Sequence, residues 1–184
     1  ALELPSPNKE NLNPISVEEF HCLLKAANGT FWEPMLLVML NLCYYPVDAR
    51  TLTVDAIDLK TGVVIFEREK KKTTRVGILW NRSRKALKKW IDSGKTNGVV
   101  FPSETGLGFA GQGLRSSFRR LRKKAGLGEE VTMDRIRDAA YSAACASPKV
   151  NIKEAKILAG HRFDGGTDAY VKRDPETGRE AGNA

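Results

Sequence analysis

Histidine and cysteine are scarce in this chain, and their scarcity removes several functional classes. The 184 residues include two histidines and three cysteines. Cys22, Cys43 and Cys145 lie far apart with no CxxC pair, and neither they nor His161 have the ligand spacing of a zinc site. No GxSxG motif is present, so a serine hydrolase is disfavoured and His21 is expected on the surface or partly packed. We therefore expect no metal ion and a reducing, intracellular setting.

Long apolar runs are absent as well. No segment reaches the roughly 18 consecutive apolar residues that a membrane-spanning helix requires. The first residues also lack the charged-then-apolar layout of a signal peptide. Hydrophobic residues make up 41% and charged residues 28% of the chain, which is the usage of an ordinary globular domain. The sequence thus predicts one soluble, cytoplasmic domain without a membrane partner.

Positive charge is plentiful and clustered. The formal net charge is +8, and lysine and arginine concentrate in residues 67–75, 81–90 and 115–126. In the last cluster, "GLRSSFRRLRKKAG", apolar residues recur at helical spacing on one face and cations surround the other. A dense cationic helix face is typical of contact with the phosphates of nucleic acid. We predict DNA contacts from Lys71, Lys72, Arg75, Arg115, Arg119, Arg122 and Lys123.

Hydrophobic periodicity and end signals predict a mostly α (α+β) domain, a helical bundle with a small antiparallel β-sheet inserted after the first helices. Capping boxes are expected at Ser16 with Glu19 and at Asn151 with Glu154. Strands are predicted over 63–66 and 76–79, joined by a basic hairpin, with a further short strand over 99–101. Helices are predicted over 14–27, 32–45, a short stretch from residue 46, 82–92, 113–125, 132–146 and 151–159.

A glycine-rich stretch, "GLGFAG" at 106–111, matches the GxGxxG pattern of dinucleotide sites. That motif needs a strand running directly into the glycines, whereas Pro102 and "SETG" intervene here. A loop is the better interpretation, although a nucleotide-binding enzyme stays as a third hypothesis.

One segment combines a histidine and a tyrosine in basic surroundings. In "ILAGHRFDGGTDAYVKRD", Tyr170 follows His161 by nine positions. A helix ending at Gly160, with His161 as a cap and Tyr170 packed, would also account for it. However, the stretch resembles the last catalytic box of the tyrosine recombinases, the phage integrase family.

Three upstream segments extend the resemblance over about residues 14–174. "TMDRIRDAAYSAAC" is similar to the family's HxxR box, with Arg137 on its arginine. "LNLCYYPVDARTL" is similar to the first box, with Asp48 on the acidic position. Lys70 is the best match to the lysine of the family's β-hairpin, with Lys71 and Lys72 as close competitors.

The resemblance implies a catalytic domain that cuts and rejoins DNA through a 3′-phosphotyrosine intermediate, without metal or nucleotide cofactor. By that resemblance Tyr170 is the nucleophile and Arg137 neutralises charge on the phosphate. Lys70 protonates the leaving 5′-oxygen, and His161 hydrogen-bonds the phosphate or assists proton transfer. Arginine suits the phosphate task because its fork of N–H donors binds two oxygens at once.

Two matched positions depart from the family pattern. Tyr45 stands where the first catalytic arginine is expected, and Asp134 stands where the HxxR histidine is expected. Arg50 and Arg135 are the nearby substitutes, but their spacing points both away from the vacant position. Two functions therefore stay open: a working DNA integrase with an altered site, or an integrase-derived DNA-binding protein that cuts weakly or not at all.

The expected organisation follows from the same resemblance. Residues 1–13 are interpreted as a linker, 14–174 as the catalytic domain and 175–184 as a loose tail. Double-stranded DNA is the predicted partner. The resemblance implies a homotetramer on DNA, while the isolated domain is expected to be a monomer.

Overall fold

The computed structural model describes residues 13–68, 73–103 and 108–160, apart from the side chains of Arg68 and Thr73. Seven helices and a two-stranded sheet lie in these ranges. The predicted class, mostly helical with a small antiparallel sheet inserted after the first helices, is confirmed. The elements are α1 (Val17–Ala27), α2 (Trp32–Asn41), α3 (Pro46–Arg50), β1 (Val63–Arg68), β2 (Thr73–Ile78), α4 (Asn81–Asp92), α5 (Gly111–Lys124), α6 (Met133–Ala146) and α7 (Ile152–Leu158).

Both predicted capping boxes are present. The Ser16 hydroxyl accepts from the Glu19 N–H at 3.1 Å, and the Glu19 carboxylate accepts from the Ser16 N–H at 2.8 Å. Asn151 and Glu154 make the same reciprocal pair at the start of α7, at 3.0 and 2.7 Å. These bonds satisfy amide donors that a helix N-terminus otherwise leaves without partners.

Two predicted elements differ from the structure. The second helix ends at Asn41 rather than 45, because Cys43 takes a left-handed conformation with φ of 52° and turns the chain toward α3. The predicted strand over 99–101 is not a strand. Val99 forms only isolated bridges, one of them to Thr53, and the Val100 N–H donates to the Leu52 carbonyl at 2.9 Å.

Helix α2 is central to the core and packs against α1, α3, α4 and α6. Its apolar side chains are buried on every side, as the even hydrophobicity of the segment predicted. The indole N–H of Trp32 donates to the Ser117 hydroxyl at 3.1 Å, which ties α2 to α5 inside the core. Elements that are distant in sequence thus meet on this one helix.

The sheet is an antiparallel hairpin in which Val63 pairs with Ile78 and Phe66 with Arg75. Val64 and Phe66 of β1 face the core. On β2 the buried positions are Arg75 and Gly77. A Cβ at Gly77 would lie 2.7 Å from a Leu42 methyl, so glycine allows β2 to approach the end of α2 closely. The inward face of β2 therefore carries a charge in place of an apolar side chain.

A smaller apolar cluster lies between α6 and α7, beside the turn that follows α2. Its members are small or medium-sized, which brings the two helices close together. The cluster holds α7 against α6, the helix that carries Arg137. Its buried members are Cys43, Ala140, Ala144, Val150, Ala155, Leu158 and Ala159.

Candidate active site

A cleft of about 700 Å³ opens between the start of α3, the length of α5 and the start of α6. Its walls combine apolar side chains with arginines, and each side comes from a different part of the sequence. Its lining residues include Tyr45, Val47, Arg50, Arg115, Phe118, Arg119, Arg122, Met133 and Asp134.

Helix α5 supplies most of the positive charge of the cleft. As the helical spacing predicted, Leu114, Phe118 and Leu121 are buried against the core. Arg115 and Arg119 are exposed and line the cleft, and Lys123 is exposed on the same helix. No acidic residue lies in the first turn of α5, so no carboxylate there offsets the positive charge of the arginines that follow.

Arg122 has a different environment from its neighbours on α5. It lines the cleft, but its Nη1 donates to the carbonyls of Glu129 and Val131 at 2.9 and 3.1 Å. Its side chain is 13% exposed. Arg122 therefore fastens the loop before α6 as well as adding charge to the cleft.

Arg137, the arginine of the HxxR-like segment, is buried on α6 with 4% exposure. Its Nη2 donates to the Ala159 carbonyl at 3.2 Å. Its guanidinium carbon lies 3.9 Å from the centre of the Tyr45 ring, within the range of a cation–π contact. Arg137 thus lies behind the side chain that borders the cleft.

Both substituted positions, Tyr45 and Asp134, line the cleft. Tyr45 precedes α3 and is half-buried, and its backbone N–H donates to the Asp48 carboxylate at 3.3 Å. Asp134 is exposed in the first turn of α6, where a carboxylate interacts favourably with the helix dipole. Tyr45 therefore both lines the cleft and contacts Arg137 through its ring.

Arg75 does not lie where a DNA contact was predicted. It is 5% exposed, and its Nη1 lies 3.1 Å from Asp48 Oδ2. The guanidinium is therefore not on the exposed surface where the DNA contact was predicted. The prediction for Arg75 as a surface contact is therefore corrected, because Asp48 and nearby carbonyls hold the side chain inside.

Arg50 and Arg135, the nearby substitutes for the arginine expected at position 45, both bind other groups of the protein. Arg135 points away from the cleft: it binds Glu19 at 2.9 and 3.1 Å and donates to the Pro14 carbonyl at 3.1 Å. Arg50 lines the cleft and donates to the Phe109 carbonyl at 2.5 Å. Arg50 is thus the cleft arginine nearest in sequence to Tyr45.

Several predicted site residues lie outside the described residues: Lys70, Lys71, Lys72, His161 and Tyr170. Gly160 is the last of the described residues; it has a φ of +66° and directly precedes His161 in the sequence. His21, in contrast, is exposed on α1, as expected.

Sequence reasoning missed two features of the site. One is the contact of Tyr45 with Arg137, and the other is the ion pair of Arg75 with Asp48. The available signal was an arginine between β-formers in "TTRVGI", a position that points to the same face of the strand as Gly77.

The thiol of Cys43 lies near the Arg75 ion pair, since the Cys43 carbonyl accepts from Arg75 Nη2 at 3.3 Å. Burial raises the pKa of this thiol to about 11.

Within the described ranges, no cluster of three or more His, Cys, Asp or Glu side chains is placed to hold a metal ion. Nor does any helix in those ranges have the length and apolar character to cross a membrane.

Comparison with known proteins identifies the fold and family. The chain is similar to the crystal structure of XerA recombinase, with 20% identity and a TM-score of 0.72, covering 89% of this chain and 61% of that one. The catalytic core of lambda integrase matches with 16% identity and a TM-score of 0.65, over 84% of this chain and 94% of that core. A Tn1549 transposon integrase in complex with transposon right end DNA matches with 14% identity and a TM-score of 0.71, over 94% and 65%.

The chain therefore spans less than two thirds of the XerA and Tn1549 proteins but nearly the whole lambda catalytic core. A search of curated protein sequences found no significant match. The model described as Phage integrase family matches residues 16–177. With the fold of a tyrosine recombinase catalytic domain and a family match over most of its length, the chain belongs to the phage integrase family.

Proposed function

We propose that this chain binds double-stranded DNA in the α5-lined cleft and acts as a site-specific recombinase that cuts and rejoins DNA strands. The cleft carries the proposal. Arg115 and Arg119 line the same cavity as Tyr45 and Asp134, the positions matched to the family's catalytic arginine and histidine. Cationic side chains on one wall suit the phosphate backbone and orient it toward those positions.

In the proposed reaction the Tyr170 hydroxyl oxygen attacks a DNA phosphorus atom. A phosphotyrosine bond forms, and the bond from phosphorus to the 5′-oxygen breaks. Lys70 donates a proton to the leaving oxygen, and Arg137 stabilises negative charge on the nonbridging oxygens. His161 accepts the phenolic proton, or it hydrogen-bonds the phosphate while solvent water accepts that proton. Rejoining reverses these steps, so no external energy source or cofactor is needed.

The experiment uses the full chain and a nicked suicide duplex taken from DNA that flanks the gene. We expect a covalent protein–DNA adduct on a denaturing gel that disappears with Tyr170→Phe. Tyr141→Phe, a half-buried tyrosine of α6, is the matched control and should retain the adduct. An adduct that survives Tyr170→Phe would overturn the assignment of the nucleophile.

A second candidate function is DNA binding with weak or absent cleavage. The observation that favours it is the contact between Tyr45 and Arg137, since the ring occupies the matched position of one guanidinium and covers the other. Salt-sensitive DNA binding without any adduct would establish this alternative.

Tyr45→Arg separates the two candidates further. If the altered site limits cleavage, an added guanidinium should raise the adduct rate by roughly 100-fold, the scale of one lost oxyanion donor. Tyr45→Phe keeps the ring and should leave the rate near wild type. No gain from Tyr45→Arg would show that Tyr45 is not the limiting substitution.

Organisation and assembly complete the proposal. We assign residues 1–13 to a linker, 14–174 to the catalytic domain and 175–184 to a tail, and the family match over 16–177 supports the central assignment. The free domain is proposed to be a monomer that forms a homotetramer on DNA, and to reside in the cytoplasm with the DNA. Light scattering with and without duplex measures both assembly states.

A further inference from the structure

Arg75 joins three separate elements behind the cleft. From β2, its Nη1 lies 3.1 Å from Asp48 Oδ2 on α3. Its Nη2 donates to the Leu42 carbonyl at the end of α2, at 2.8 Å, and to the Leu158 carbonyl at the end of α7. The guanidinium carbon also lies 4.5 Å from the centre of the Tyr44 ring. A single buried side chain thus links α2, α3 and α7 to the sheet.

Two groups that contact Arg137 lie directly beside two of those elements. Arg137 donates to the Ala159 carbonyl, which is adjacent in sequence to the Leu158 carbonyl held by Arg75. Two guanidinium groups therefore bind consecutive carbonyls at the C-terminal end of α7, where the helix dipole favours cations.

The second contact of Arg137, the ring of Tyr45, depends on the same carboxylate. Asp48 Oδ2 accepts from Arg75 Nη1 at 3.1 Å and from the Tyr45 N–H at 3.3 Å. A displaced Arg75 would therefore disturb two contacts of the Arg137 guanidinium, the Ala159 carbonyl and the Tyr45 ring.

We propose that Arg75 is a positioning residue for Arg137, and so for phosphate activation. The proposal rests on the proposed function for the role of Arg137, but its geometric part stands on the contacts alone. Arginine fits this position because its planar fork reaches several acceptors at fixed angles, whereas a lysine ammonium is a single point of charge.

Gly160 provides an independent sign that the space around Arg75 is constrained. A Cβ at Gly160 would lie 3.3 Å from the Arg75 Cζ and Nε atoms. Its φ of +66° also disfavours a side chain. Gly160→Ala should therefore press on the Arg75 guanidinium and reproduce, more weakly, the effect of changing Arg75.

The first test compares Arg75→Lys with Arg135→Lys in the full chain. Arg135 is a matched control because it also binds a carboxylate and backbone carbonyls, but these are not the groups described above beside Arg137. We expect Arg75→Lys to lower the single-turnover adduct rate at saturating DNA about 100-fold, the cost of a small misplacement. Its Kd for DNA and the rate of Arg135→Lys should stay at wild-type values. Equal rates in the two variants, or a loss of affinity in place of rate, would overturn the proposal.

The second test does not depend on cleavage. The ¹⁵N signal of the Arg137 guanidinium, identified by its loss in Arg137→Lys, should shift in Arg75→Lys and stay in place in Arg135→Lys. If the wild-type protein forms no adduct, the proposed function fails while this signal still tests the positioning role. An unmoved signal would refute it. Should Arg75→Lys not fold, the paired change Arg75→Gln with Asp48→Asn removes both charges together, and the same shift is expected.

Discussion

Arg115 and Arg119 are exposed on α5, whereas Arg75 and Arg137 behind the same cleft are 5% and 4% exposed. The exposed pair acts through charge that water and salt screen, so side-chain direction matters little. The buried pair has fixed partners, such as the Leu42 carbonyl at 2.8 Å from Arg75 and the Tyr45 ring at 3.9 Å from Arg137, so the direction of each guanidinium is determined. Under the proposed function, the same residue type provides affinity on one side of the cleft and geometry on the other.

The largest expected effect comes from Arg137→Lys compared with Arg119→Lys. Both keep the positive charge, but only the first removes a guanidinium that is proposed to bind the reacting phosphate. The adduct rate should fall about 100- to 1000-fold for Arg137→Lys, the loss seen when one oxyanion donor is removed. Arg119→Lys should leave the rate unchanged. Similar rates for both variants in single-turnover assays would contradict the contrast between the two regions.

Stability should show the same contrast through two ion pairs. Asp48→Ala leaves the Arg75 charge buried without its carboxylate, which should lower the free energy of unfolding by about 3–5 kcal/mol. Asp92→Ala breaks the pair with Lys88, which is 2.7 Å long but 63% and 57% exposed, and should cost about 0.3–0.5 kcal/mol. Urea unfolding measures both. Comparable losses would mean that burial of the Arg75 pair contributes nothing to the fold.

The next largest effect is expected in the pH dependence of the free energy of unfolding, through the buried thiol of Cys43. Burial raises the pKa of Cys43 to about 11, above its unfolded value, so folding favours the protonated thiol. This contribution is complete below the unfolded pKa and disappears as the pH rises through 11. The loss is at most about 2–3 kcal/mol.

Urea unfolding of wild type and Cys43→Ala between about pH 8 and about pH 11 isolates the contribution as a difference between the two curves. Cys145→Ala is the control, because Cys145 is exposed. A pH profile of Cys43→Ala that parallels wild type would show that another group causes the alkaline loss.

Local signals in the sequence predicted much of the fold and less of the site. The capping boxes at Ser16 and Asn151 and the apolar face of α5 depend on residues within four positions, so short-range chemistry determines them. The burial of Arg75 depends on Asp48, 27 positions away, and on carbonyls at the end of α7. Nothing in the basic hairpin segment itself reports those partners. For the same reason the Tyr45 contact with Arg137 appears only once α3 and α6 have packed.

The smallest expected effect is that of a single exposed cation on DNA affinity. Arg119→Gln should make the slope of log affinity against log salt shallower by about 0.9, the value for one lost phosphate contact. Lys88→Gln changes a cation on α4 that is also exposed but does not line the cleft, and it should leave the slope at its wild-type value. Fluorescence anisotropy with labelled duplex measures both slopes. Equal changes would mean that DNA is attracted by the total charge of the protein rather than by the face of α5. The exposed arginines of α5 would then have no special part in affinity, and only the role of the buried arginines in geometry would stand.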